Sequence, residues 1–265
     1  MNEHATAPPR LRIASLVPSI TELLVALGLR PYLIARTGFC IHPAAALADV
    51  PKVGGTKDVN LAKLRRLAPT HVIVNIDENR RETADALREF VPQVIVTHPQ
   101  GPQDNIALLD QMRAHFADAV PGLAQRCEAL AAEVAQALAR CRSTSWPGER
   151  VLYLIWREPW MAVARDTYIS RMLAEVGWQT WPELEGGEAG AARYPVLGGD
   201  EAWLRQVDRV LLSSEPYRFD ARHLPLANEL CPRARVQLVD GELLSWYGPR
   251  AAAGLDYLRS LALGN

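Results

Sequence analysis

Residues 11 to 79 run strand, turn and helix and then begin the same series again, which confines the chain to a parallel α/β architecture. LRIASLVPSITELLVALG sets an apolar run, a proline turn and an amphipathic helix in succession, and LAPTHVIVNIDENRRE repeats an apolar strand that opens into a charged helix start. Two parallel strands need a crossover between them, normally a helix. Sheets of this kind hold ligands in the loops that leave the carboxyl ends of their strands, and the aromatic and paired polar residues of this chain collect mostly there.

The first strand is expected at 12–17, followed by a helix to Gly28 that Ser19 and Glu22 open as an S-x-x-E capping box. Pro18 drives the residue before it toward an extended conformation, so the turn is sharp. A short strand at 31–36 leads into the irregular stretch TGFCIHPAAALADVPKVGGTKDVN. Asn60 then caps a helix at 61–68, and strands follow at 70–76 and 91–98. An amphipathic helix at 104–118, with Ile106, Leu109, Met112 and Phe116 on one face, completes a lobe over 10–118. Pro121 suits the first position of a long helix carrying Leu123, Cys127, Leu130, Val134 and Leu138 on one side. That helix fills the interlobe segment 119–142 and is about 30 Å long at about 1.5 Å per residue.

The second lobe, 143–265, opens with a strand at 150–156 and a helix at 167–176. A glycine-rich loop, a helix at 200–206, a strand at 208–213, a helix near 221–230, a strand at 235–239 and a helix at 250–262 follow. The expected fold is therefore two α/β lobes, each a parallel-type sheet with flanking helices. A single long backbone helix joins them, and a ligand cleft lies between.

A chain of 265 residues that is 49% hydrophobic has enough apolar material for the two cores this requires. Its 29 basic and 30 acidic residues leave a formal charge of -1, which offers no bulk attraction to nucleic acid or anionic lipid. No segment approaches the roughly 18 uninterrupted apolar residues of a membrane span, so neither a nucleic-acid partner nor membrane insertion is expected. Cysteines 40, 127, 141 and 231 have neither CxxC nor Cys/His ligand spacing, which points to buried thiols in a reducing compartment. MNEHATAPPRLR contains no apolar export segment, so the chain as written is expected to be cytoplasmic, or periplasmic where the start is mis-set or an export signal has been removed; it is expected to be a monomer.

The strand-end segments GFCIH, YLIWREPWMAVARD, SSEPYRF and DGELLSWYGPR carry the chemistry. Trp156, Trp160, Trp246 and Tyr247 offer broad flat surfaces, while Arg157, Arg165 and Arg250 can meet carboxylates or phosphates. Two readings stand. Either these rings wall a cleft for a bulky flat ligand, the reading favoured for Trp160 and Trp246, or they fill the core while the arginines pair with Glu158, Asp166 and Glu242. Core is favoured for Trp156, which ends a buried strand. His42, two residues beyond Cys40, is a candidate axial ligand to a chelated metal, or a turn histidine before Pro43. Gly54 and Gly55 fix a turn or let the backbone approach a ligand. No base and nucleophile pair can be named; SLVPSITE lacks the nucleophile elbow and GGTK lacks the phosphate-loop spacing. The chain is not expected to be an enzyme or to hold a catalytic cofactor.

RIASLVPSITELLVALGL, KVGGTKDVNLAKLRRLAPTHVIVNIDENRRE, LIWREPWMAVARDTYISRMLAEVG and VDGELLSWYGPR together resemble the helical-backbone class of substrate-binding proteins, in particular its vitamin B12-binding branch. The resemblance runs from residue 11 to 262. It implies binding of cobalamin or a related corrinoid and delivery to an ABC importer whose permease dimer is recognised through one glutamate per lobe. Those glutamates fall at Glu78 or Glu82 and at Glu215. It further implies that aromatic residues from both lobes embrace the ligand, which fits Phe39, Trp160, Trp246 and Tyr247, and His42, Gly55, Arg157, Glu242 and Arg250 are the ligand-binding candidates beside them. Haem or a ferric siderophore is the alternative ligand, and a cytoplasmic carrier or regulatory module the alternative role. The arginine and acid near the last helix stand in an altered frame, as Glu242 and Arg250.

Overall fold

The computed structural model describes residues 11–264 and divides them into two compact units. The first unit comprises residues 11–98 and Met112–Cys127, the second Pro99–Gln111 and residues 128–264.

Unit 1 contains β1 (Ile13–Ser15), α1 (Pro18–Ala26), β2 (Leu33–Arg36), α2 (Ala44–Leu47), α3 (Leu61–Arg66), β3 (His71–Asn75), α4 (Arg81–Arg88) and β4 (Gln93–Thr97). Its four strands lie in the order β2-β1-β3-β4, every pair parallel. The strands are short and buried on both faces, so Ile13, Ala14, Val72 and Val74 read as continuous apolar runs without alternation. One face packs Leu16, Val53, Leu64 and Leu87 into a single core.

α5 (Asp104–Phe116) and α6 (Leu123–Arg142) each cross the unit boundary. α6 has the 20 residues expected of a backbone helix and buries Leu123, Cys127, Val134 and Leu138. It starts at Leu123 instead of Pro121, because Gly122 takes a φ of 75° that a helix cannot continue through. In α5 the expected apolar face is turned, leaving Ile106 exposed while Leu108, Leu109, Met112 and Phe116 are buried. Asn105 takes the inward position and is fully buried.

Unit 2 continues with β5 (Glu149–Trp156), β6 (Met161–Ala162), α7 (Tyr168–Ala174), β7 (Trp178–Thr180), β8 (Arg209–Ser213), α8 (Leu224–Leu230), β9 (Arg235–Val239), α9 (Gly241–Ser245) and α10 (Ala251–Leu263). β5 lies at the centre. It pairs in parallel with β8 along its middle and with β7 at its start, and antiparallel with the short β6 at its end. β9 extends the sheet beyond β8. Leu152, Leu154, Val210, Leu212, Leu204 and Phe219 form its core.

Two local expectations fail for physical reasons. α1 begins at Pro18 with Val17 as an extended N-cap that makes no side-chain bond, so Ser19 lies inside the first turn and no capping box forms. The proline has no N–H to satisfy and takes the first helical position that a capping serine would otherwise precede. The expected helix at 200–206 is a 3-10 turn over Ala202–Gln206. The Asn60 cap does form, its Oδ1 accepting the Lys63 N–H at 2.8 Å.

Candidate functional site

In unit 1 the carboxyl ends of β1 and β3 and the loop that precedes α3 are tied together by two buried asparagines. Asn79 Nδ2 donates to the carbonyls of Leu16 (3.2 Å) and Thr56 (3.0 Å), while its Oδ1 accepts the Asn75 N–H at 2.8 Å. Asn75 Oδ1 in turn accepts the N–H groups of Asp77 and Glu78. Neither asparagine was singled out as a site residue; the signal was an amide at the end of an apolar strand, where a buried side chain must find partners.

The loops so held present Phe39, 63% exposed, together with Ile41 and Ile76, both also exposed. Gly55 lies under the Phe39 ring, and a Cβ there would come within 3.3 Å of Cε2. The preceding Gly54 has a φ of 99° and its carbonyl accepts the Gly38 N–H at 2.7 Å, so the two glycines fix a turn and bring two loop backbones together. Lys57 Nζ donates to the Asp77 carbonyl at 2.6 Å, and burial pushes its pKa down against the opposing pull of Glu78 and Asp77. His42 is half-buried, and no group of three or more histidine, cysteine or acidic side chains that could hold a metal occurs among the described residues. Cys40 is fully buried with its thiol 3.1 Å from Thr37 Oγ1, and burial raises its pKa.

In unit 2 the ends of β5 and β8 carry a continuous run of rings. Trp156 meets Tyr217 edge-on at 5.5 Å, Tyr217 tilts against Phe219 at 4.8 Å, and Phe219 stacks on Trp160 at 6.0 Å with planes 11° apart. Arg157 lays its guanidinium over Trp160, 4.5 Å from the ring centroid. Trp156 is 40% exposed, which corrects the expectation that it fills the core. The cause is register: the β5–β8 pairing ends at Leu154 and Leu212, so the ring lies past the last paired residue of the neighbouring strand. Tyr217 Oη is 3.0 Å from His223 Nε2, and the Asp220 N–H donates to Nδ1 of the same imidazole, which fixes the turn that carries the tyrosine.

Trp246 behaves in the opposite way. It is only 8% exposed, its Nε1–H donates to Glu215 Oε1 at 2.7 Å, and the Arg250 guanidinium covers its ring at 4.7 Å. It is a packed residue and not the open wall expected of it. Glu242 pairs with Arg250 at 2.6 Å, while Tyr247 is buried edge-on against Tyr168 at 5.9 Å. Asn105 holds this segment in place: its Nδ2 donates to Tyr168 Oη (3.1 Å) and the Pro102 carbonyl (2.7 Å), and its Oδ1 accepts the Gly248 N–H (2.6 Å). No motif marked Asn105. Its position amid apolar residues on one helix face was the available sign.

Of the glutamates assigned to docking, Glu82 is exposed in the first turn of α4 and Glu78 is half-buried in the turn before it. Glu215 is half-buried and its Oε1 accepts from both Ser245 Oγ (2.6 Å) and Trp246, with burial raising its pKa. Arg165 pairs with Glu183 at 2.6 Å.

Comparison with known proteins supplies what this geometry leaves open. The family model described as "Periplasmic binding protein" matches residues 13–195, more than half of the chain. The "Vitamin B12-binding protein" of Vibrio vulnificus is 23% identical over 258 residues, covering 94% of this chain and 89% of that protein. Among solved structures, the periplasmic vitamin B12 binding protein BtuF of Vibrio cholerae superposes with a TM-score of 0.77 at 19% identity, covering 97% of this chain and 99% of its own. A periplasmic heme binding protein of Pseudomonas aeruginosa gives 0.75 at 24% identity, covering 96% and 93%. These likenesses establish the fold without separating the two ligands. They overturn the cytoplasmic placement expected from the sequence, because the family and these solved relatives are periplasmic. Among the described residues no helix is long and apolar enough to cross a membrane. With two α/β units, ligand-type loops at the strand ends and a family match from residue 13 to 195, the chain belongs to the periplasmic binding protein family.

Proposed function

We propose that the protein captures a flat metal chelate of the haem type and passes it to an ABC importer. The observation that carries this reading is the run Trp156, Tyr217, Phe219 and Trp160 at the ends of β5 and β8, one end of it exposed and the other topped by Arg157. Trp156 is exposed and Tyr217 half-buried, while Phe219 lies in the core behind them, so it is the outer rings that can stack on a planar conjugated ring and remove its apolar surface from water. Unit 1 has a smaller aromatic face of its own, Phe39 over Gly55, with His42 in the same loop as a candidate axial donor. Trp246, covered by Arg250 and its partner Glu242, supports the loop that carries Tyr217 through its bond to Glu215. Haem-binding proteins of Pseudomonas aeruginosa and of Vibrio cholerae, the latter at a TM-score of 0.76, support a haem-type ligand. The 94% coverage by the Vibrio vulnificus relative supports a corrinoid as the second reading. For the permease, the exposed Glu82 is the better docking residue in unit 1. Glu215 contributes only through the oxygen that Ser245 and Trp246 leave open.

The test is calorimetric titration of the purified apo-protein with haemin, cyanocobalamin and a ferric siderophore in parallel. Saturation by haemin at one site with a Kd near or below about 1 µM, roughly -8 kcal/mol, is the expected result. Trp156→Ala is expected to weaken that binding by about 1–3 kcal/mol without unfolding the protein. Saturation by cyanocobalamin alone would move the assignment to the corrinoid. No heat with any of the three would refute chelate binding.

A further inference from the structure

Asn79 spends its whole amide on joining segments that are distant in the chain. It is buried, its Nδ2 donates to the carbonyls of Leu16, just past β1, and of Thr56, and its Oδ1 accepts the N–H of Asn75, the last residue of β3. Two donations and one acceptance from one short planar group are what an amide supplies; a carboxylate has no donor and a hydroxyl has one. Leu16 and Asn75 belong to the sheet, whereas Thr56 belongs to the turn beneath Phe39. Within that turn the Gly55 N–H donates to the Asp58 carbonyl at 3.1 Å, and the Gly54 carbonyl receives Gly38, the residue before Phe39. Two side chains tie the turn to the end of β3: Asn79 through Thr56, and Lys57, whose Nζ donates to the Asp77 carbonyl. The lysine bond is exposed to water and the asparagine is buried, so the amide supplies the stronger tie. The Phe39 ring lies on the turn so fixed. A Cβ at Gly55 would come within 3.3 Å of its Cε2, and the residue is 63% exposed, so one side of the ring rests on glycine backbone while the remainder meets solvent.

We propose that Asn79 is a positioning residue for ligand capture: by pinning the Thr56 carbonyl to the ends of β1 and β3 it sets the level of the Gly55 shelf, and with it the pose in which Phe39 meets the face of a planar chelate. The inference rests on the chelate reading above and adds to it a residue that does not touch the ligand. Asn79 acts on affinity through Phe39, so its effect exists while that ring is present and vanishes when the ring is removed.

The experiment is a double-mutant cycle on haemin affinity, followed by the Soret absorbance of the bound ring, with the wild-type protein, Phe39→Ala, Asn79→Ala and the double variant. Phe39→Ala is expected to weaken binding about tenfold and Asn79→Ala about fivefold, equivalent to about 1.4 and about 1 kcal/mol. With Phe39 already alanine, Asn79→Ala is expected to cost less than about twofold, because contacts that act in series are not additive. Equal losses from Asn79→Ala in both backgrounds overturn the inference, since a general loosening of unit 1 weakens binding whether or not the ring is there. Unchanged affinity in either single variant overturns it as well. If Asn79→Ala does not fold, Gly55→Ala takes its place in the cycle, its Cβ pressing on the ring from below while the amide stays intact; additivity there overturns the shelf and the role of Asn79 with it. Where cyanocobalamin saturates the wild type and haemin does not, the same cycle is run on cyanocobalamin with the same outcomes. Absence of binding to both rings refutes the chelate reading itself, a result distinct from an additive cycle.

Discussion

Replacing Asn105 by alanine should destabilise unit 2 by about 1.5–5.5 kcal/mol, although alanine is the better helix former. The side chain is fully buried and makes three hydrogen bonds, to the Pro102 carbonyl, to Tyr168 Oη and from the Gly248 N–H, the last spanning 143 residues of sequence. Truncation leaves the buried Gly248 N–H and the buried Tyr168 hydroxyl without these partners. At about 1–3 kcal/mol for each of the two buried groups left unpaired, the loss is roughly 2–6 kcal/mol. The helix propensity gained on going from asparagine to alanine returns about 0.5 kcal/mol. All seven tryptophans, at 146, 156, 160, 178, 181, 203 and 246, lie in unit 2, so indole fluorescence during urea unfolding follows that unit selectively. The expected result is a lower midpoint at unchanged slope. A loss below about 0.5 kcal/mol would refute the reasoning, because it would mean that Gly248 and Tyr168 find other partners once the amide is gone.

Gly254→Ala, in the middle of α10, should destabilise despite adding a better helix residue; a Cβ there would run into the Leu243 carbonyl oxygen and lie within 3.2 Å of Met172 Cε, so a loss of about 1–3 kcal/mol in urea is expected. Glu215→Gln keeps an acceptor for Ser245 and Trp246 but removes the titration. Burial raises the native pKa of Glu215 above the ordinary 4.5, helped by Glu242 and Asp240, so this group's contribution to stability is full below about pH 4.5 and is lost as pH rises through the raised value. The stability of the variant relative to the wild type should therefore climb over that window in pH-dependent urea titrations, and parallel curves would refute it. All four cysteines are buried, with Cys141 pushed up to about 11 and Cys231 to about 12 by burial, so thiol reagents should modify none rapidly at pH 7 and all four once urea unfolds the chain.

Much of the architecture was legible because it rests on local rules. The buried runs at 13–15, 71–75 and 209–213, the Asn60 cap and the 20-residue helix α6 follow from apolar periodicity and side-chain capping. The short β6 and β7 were not legible, since two or three residues carry no period and exist only because β5 offers them unpaired edges. The aromatic segments at the strand ends were found, but which rings stay open was misjudged for Trp156 and Trp246. One lies past the end of a strand pairing and the other is captured by Glu215 and Arg250, and neither fact is visible along the chain.

By itself, then, the sequence determined a parallel α/β chain with ligand-type loops, because hydrophobic period, proline and capping residues act within a few positions of themselves. Tertiary structure alone decided that Asn105 would anchor Gly248, that Glu215 would be spent on Trp246, and that Arg157 would lie on Trp160 with its Nε unbonded. The first two outcomes depend on which groups meet across 31 to 143 residues of chain, and the third on what burial costs a polar atom that meets none.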